Sequence, residues 1–106
     1  MSRLDEAAAY VRSKNAGPFW VTVDVFCGEE RAFERLRQAP LLSARSVAAI
    51  YGVPVEQVRI FHDRPLHVIK ISYPRPVPQG SAADVDSHAG QAFVALSTKP
   101  LDWEPA

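Results

Sequence analysis

The stretch "FWVTVDVF", residues 19–26, constrains this chain most. β-Branched and aromatic side chains fill it, and they suit a pleated surface better than a helix. With a period of two, Phe19, Val21, Val23 and Val25 share one face, while Trp20, Thr22, Asp24 and Phe26 share the other. The spacing predicts a β-strand whose second, mixed face is half covered or lies at an interface. The approach to it, "RSKNAGPF" over residues 12–19, is read as a loop. Asn15 and Gly17 are the positions that tolerate positive φ. Pro18 fixes its own φ and disfavours a helical Gly17, so the strand starts from a set geometry. A turn needs neither Arg12, Ser13 nor Lys14. Arg12 and Lys14 supply charge and donors, Ser13 and Asn15 supply neutral hydrogen bonds, and the backbone N–H groups of a tight turn can cradle an anion. A carboxylate or phosphate is the ligand class that suits such a loop, although the Gly-x-x-x-x-Gly-Lys spacing of a P-loop is absent.

The remaining chain alternates the two periods. "GEERAFERLRQA", 28–39, carries Glu29, Ala32, Phe33 and Leu36 at helical spacing, with acids first, arginines last and Pro40 as the stop. "SARSVAAIYG", 43–52, predicts a second helix with Ser43 as N-cap and Gly52 as left-handed terminator. "QVRIFHD" and "LHVIKISY" flank a short "DRP" and predict an antiparallel hairpin. Residues 74–90, with Pro74, Pro76 and Pro78, break every periodicity and form a long loop. "QAFVAL", 91–96, is expected to be a short final strand, followed by a tail over 97–106. Residues 4–11 are ambiguous: alanines after Asp5 and Glu6 favour a helix, and a strand leading into the loop competes. This order predicts a single domain with its core over 4–96. Its class is α+β: an antiparallel or mixed sheet of four or five strands, two helices on one face, ferredoxin-like or a variant.

Composition narrows the function. Lysine plus arginine equals aspartate plus glutamate, 12 against 12, which leaves no electrostatic footprint for nucleic acid or an anionic membrane. The balance gives weak self-repulsion and favours a partner or a homo-oligomer. No apolar run approaches the ~20 residues that span a bilayer, and the N-terminus lacks the apolar core of a signal peptide. A single cysteine, Cys27, excludes an internal disulfide; it reads as a small buried hydrophobe in a cytoplasmic chain. His62 and His67 flank the hairpin turn and read as surface or partly packed side chains. In "DVDSH", Asp84, Asp86 and His88 form an acidic loop whose spacing matches no EF-hand. Neither a metal nor a cofactor is expected.

Taken together, "VRSKNAGPF" before "VTVDV", then "LLSARSVAAIYGVPVEQVRIF", then "IKISYPRPVPQGS" with its Asp-x-Asp, resemble one domain-of-unknown-function family of proteins of about 100 residues. Members stand alone, or lie beside or fused behind acyclic terpene utilisation (AtuA-like) proteins. The resemblance spans about Leu4 to Leu96. It carries over Arg12, Ser13, Lys14, Asn15, Ala16, Gly17, Pro18 and Phe19, then Asp24, Pro74, Arg75, Pro76, Gly80, Ser81, Asp84, Asp86 and Gln91. The sequence departs after Asp86: Ala92 and Phe93 stand where relatives carry glutamine and histidine, so if that run serves catalysis this chain has lost part of it, or His88 substitutes. The small C-terminal domain of AtuA-like proteins implies, by analogy, a strand over residues 5–12.

The resemblance implies a small accessory subunit acting with an AtuA-like partner in catabolism of branched or terpenoid acids or their CoA thioesters. Loops 12–19 and 79–91 would complete a site for the acid. The candidate ligand-binding residues are Arg12, Ser13, Lys14, Asn15, Gly17, Asp24, Asp84, Asp86, His88 and Gln91. The alternatives are a stand-alone lyase or isomerase, with Arg12 and Lys14 holding a carboxylate and Asp24, Asp84 or His88 as acid or base, and a homo-oligomeric scaffold without ligand.

Overall fold

The alternation in "FWVTVDVF" is realised as the centre of a sheet. The computed structural model describes residues 3–75 and 93–101. Along them run α1 (Leu4–Ala7), β1 (Tyr10–Asn15), β2 (Trp20–Phe26), α2 (Glu30–Leu36), α3 (Ala44–Tyr51), β3 (Arg59–Asp63), β4 (Val68–Pro74) and α4 (Phe93–Ser97). Short 3₁₀ turns at Pro40–Leu42 and Val55–Gln57 link the middle elements. Four strands form one sheet in the order β1-β2-β4-β3, and every pairing is antiparallel. The class is α+β, as the sequence predicts. The sheet joins two hairpins, β1–β2 and β3–β4; β2 and β3, connected through α2 and α3, run in the same direction with β4 between them.

The two middle helices form for the reasons read from the sequence. Ser43 Oγ accepts from the Ser46 N–H at 3.3 Å and opens α3. Gly52, at φ 68°, closes it in the left-handed region, its N–H donating to the Ala48 carbonyl. α2 is shorter than the predicted 28–39. Gly28 sits at φ 90°, outside helical space, so the helix begins only at Glu30. Beyond Leu36 the chain tightens into i+3 bonds before Pro40.

Two expectations are corrected. Residues 5–12 are not one strand: Leu4–Ala7 make a single helical turn, closed by the Arg3 N–H donating to Glu6 Oε1 at 2.8 Å. The strand begins at Tyr10 and runs through Asn15, which absorbs half of the expected loop. Of the expected strand over 91–96, residues 91–92 lie outside the described residues, and residues 93–96 belong instead to the helix α4. Its Leu96 is fully buried, and it packs by α3 and β1. The consecutive apolar residues of that run satisfy either period, and here tertiary packing decides.

All strand residues of the continuous core lie on one sheet face: Val11, then Val21, Val23 and Val25, then Ile69, Ile71 and Tyr73. Phe33, Leu36, Val47, Leu96 and Leu101 cover them. Tyr51 stacks on Tyr73 with ring centroids 4.1 Å apart. No described helix is long and apolar enough to cross a membrane.

Candidate functional site

Because Arg12–Asn15 belong to a strand, pleating divides the motif between two faces. Antiparallel partners share a face, so the register settles which side each residue takes. Ser13 lies opposite Val23 and Asn15 opposite Val21, on the helix-covered side. Arg12 lies opposite Asp24 and Lys14 opposite Thr22, on the other. The same register continues across β4 and β3. One row reads Arg12, Asp24, Lys70, Phe61, and the next reads Lys14, Thr22, Ser72, Arg59. This face therefore gathers Arg12, Lys14, Arg59 and Lys70 around Asp24.

Asp24 is the anomaly of this face. It is 4% exposed, although its face contributes no strand residue to the core cluster. Its Oδ2 stands 3.6 Å from Arg12 Nε, an ion pair longer than a hydrogen bond. Its Oδ1 accepts no hydrogen bond from any described residue. A buried carboxylate oxygen without a donor costs about 1–3 kcal/mol or more, so folding alone gives no reason for an aspartate here. The Arg12 guanidinium lies over the Phe26 ring, 5.1 Å from its centroid, which holds its charge at the rim of the face. Tyr10 meets Phe26 at 5.6 Å.

The other half of the motif builds the hairpin end. The Ala16 N–H donates to the Trp20 carbonyl at 2.9 Å, and Gly17 takes φ 82°. A Cβ on Gly17 would meet nothing within 4 Å, so it is the dihedral and not crowding that calls for glycine. Arg75 anchors this end. Its N–H donates to the Phe19 carbonyl at 2.7 Å, and its Nη1 donates to Asn15 Oδ1 at 2.6 Å.

Of the sequence-derived candidates, the structure thus joins Arg12, Lys14 and Asp24. It sets Ser13 and Asn15 on the opposite face and Gly17 in the turn. Asp84, Asp86, His88 and Gln91 lie outside the described residues. Sequence reasoning missed Lys70, Arg59, Thr22 and Ser72 as neighbours of Asp24. Lys70 inside the apolar "VIKIS" was a signal, but only the register brings it beside Asp24.

Cys27 is buried, and burial pushes its thiol up to about 11. It is a protonated thiol near neutral pH, unsuited to nucleophilic attack. The His62 and His67 rings both pack on Phe33, at centroid distances of 6.3 and 6.0 Å. Among the described residues, no three His, Cys, Asp or Glu side chains are grouped to hold a metal ion.

Comparison with known proteins gives one finding. The family model described as Domain of unknown function (DUF4387) matches residues 4–99. No curated protein matches the chain, and no solved structure does.

Proposed function

We propose, for a chain that belongs to the DUF4387 family, the role of a small accessory subunit that docks on an AtuA-like partner and contributes a site for an acidic small molecule. The acid is a branched or terpenoid carboxylate or its CoA thioester. The observation that supports this reading best is the gathering of Arg12, Lys14, Arg59 and Lys70 on the sheet face away from the helices. Four cations on one face of a chain with zero net charge form a local field that attracts carboxylate or phosphate groups. The exposed rings of Tyr10 and Phe61 stand on the same face, and aromatic side chains among cations suit a protein interface. The anion site of this proposal lies on the sheet, with Arg12 and Lys14 at its β1 side, rather than in the turn.

Two measurements test the reading. A tagged chain recovered from its own host should bring an AtuA-like protein with it. Titration of the chain with a carboxylate or an acyl-CoA should show binding that weakens about tenfold in the Arg12→Ala, Lys14→Ala double variant, with the circular dichroism spectrum unchanged. A chain that recovers no such partner and binds no anion overturns the proposal.

A stand-alone lyase or isomerase is the second reading, and buried Asp24 is the observation that favours it. There Arg12 and Lys14 hold the carboxylate and Asp24 moves the proton. Turnover of a carboxylic acid by the chain without any partner, lost in Asp24→Asn, distinguishes this reading from the first.

A further inference from the structure

Asp24 sets a condition on the acid that the cations alone do not. It rises from the central strand β2 between Arg12 on one side and Lys70 on the other. Adjacent strands are about 4.8 Å apart, so one small molecule lying across the row meets all three. Aspartate is a short side chain, whereas arginine and lysine are long. The face is therefore a recessed acceptor with cations standing around it. Thr22 and Ser72 stand one pleat along, on the side of Lys14 and Arg59.

A plain carboxylate fits this arrangement incompletely. It satisfies Arg12 and Lys14, yet it brings a second negative charge towards Asp24 and leaves Asp24 Oδ1 without a donor. An amino acid meets the opposite difficulty, because its ammonium reaches Asp24 only between Arg12 and Lys70, the cations that flank it. A neutral donor close to the carboxylate answers both. We infer that the ligand is a hydroxy acid, whose carboxylate takes Arg12 and Lys14 while its hydroxyl donates to Asp24 Oδ1. Arg12 is the residue that must shift to admit it. Its side chain is half exposed, and its ion pair to Asp24 is long, at 3.6 Å. A ligand carboxylate therefore draws the guanidinium outward and uncovers the acceptor beneath. This inference rests on the anion site proposed above and names its substrate class.

The test uses the full chain and two matched probe pairs, butanoate against 3-hydroxybutanoate and against 2-hydroxybutanoate, titrated by ligand-observed NMR. At least one hydroxy acid should bind about tenfold or more tightly than butanoate, since a site that pairs a substrate hydroxyl discriminates against the analogue lacking it. Asp24→Ala should erase that preference, so that all three acids bind alike. Asp24→Val, which keeps bulk at the position and carries no acceptor, serves if the alanine variant does not fold. Equal binding of all three acids by the unmodified chain overturns the inference and leaves the carboxylate site standing. Binding of none of them, at millimolar probe, overturns the carboxylate site and the inference together.

Discussion

Burial sets the ionisation of two side chains in the core. Cys27 is pushed up to about 11 from 9.0 by loss of hydration. Tyr51 is pushed up to about 12 from 10.0, also by burial, against smaller opposing hydrogen bonds from Tyr73 and the Leu96 backbone. Both groups are neutral when protonated, so the folded state holds the proton where the unfolded chain releases it. Stability from this source is whole below pH 9 and falls as pH rises, first through the Cys27 window of 9 to 11 and then towards 12 with Tyr51. Urea unfolding from pH 8 to pH 11 should show that fall. Cys27→Ala should flatten its lower part, at a small packing cost measured at pH 7. An unchanged slope in the variant would assign the loss to other groups. The role of Cys27 was legible in the sequence, because a lone cysteine ending an apolar strand has few other uses. That Asp24 Oδ1 accepts no hydrogen bond among the described residues was not, since pairing is a fact about neighbours and not about residue type.

At the scale of the element, legibility followed how local the determining physics is. α3 was readable at both ends because its cap residues act on backbone groups within one turn. Ser43→Ala removes the side chain that accepts from Ser46 N–H and should cost about 1 kcal/mol. Gly52→Ala puts a Cβ on a residue at φ 68°, where nothing crowds it, so it pays only the left-handed strain, roughly 1 kcal/mol. The two sites share no contact, and the double variant in chemical denaturation should show the sum. Strands β2, β3 and β4 were legible by their period. The far half of β1 was hidden, because "RSKN" has no apolar alternation and owes its extended form to hydrogen bonds with β2. That one hidden extension changes the site. Read as a loop, the motif lets Arg12, Ser13, Lys14 and Asn15 converge; as a strand it sends Arg12 and Lys14 one way and Ser13 and Asn15 the other. α4 was misread for the opposite reason: residues 93–96 are all apolar, and neither period excludes the other.

Over the whole molecule, charge is sorted rather than balanced. The net charge is zero, yet the sheet face opposite the helices places Arg12, Lys14, Arg59 and Lys70 against Asp24 and Asp63. The compensating acids are therefore elsewhere. Glu30 and Glu34 on α2, for example, pair with Arg64, and Glu34 also pairs with Arg37. A chain sorted in this way presents one cationic face to a partner without being a basic protein, which is why composition alone said nothing of this surface. Tyr10 and Phe61 stand on the same face with more than half of their surface exposed, 58% and 59%, and can supply the apolar contact that charge does not. An AtuA-like partner docked there should present an acidic surface, and the encounter should be steered by charge. The association rate, followed by surface-immobilised binding, should fall severalfold between about 50 mM and about 300 mM salt. The Arg59→Glu, Lys70→Glu double variant should slow association at low salt and flatten that dependence. Its unfolding midpoint should fall somewhat, because Lys70→Glu sets a like charge opposite Asp24, while its circular dichroism spectrum should match the parent, since neither side chain belongs to the core cluster. An association rate indifferent to salt and to the double variant would place the partner on a different surface, and the cations would then serve the small acid alone.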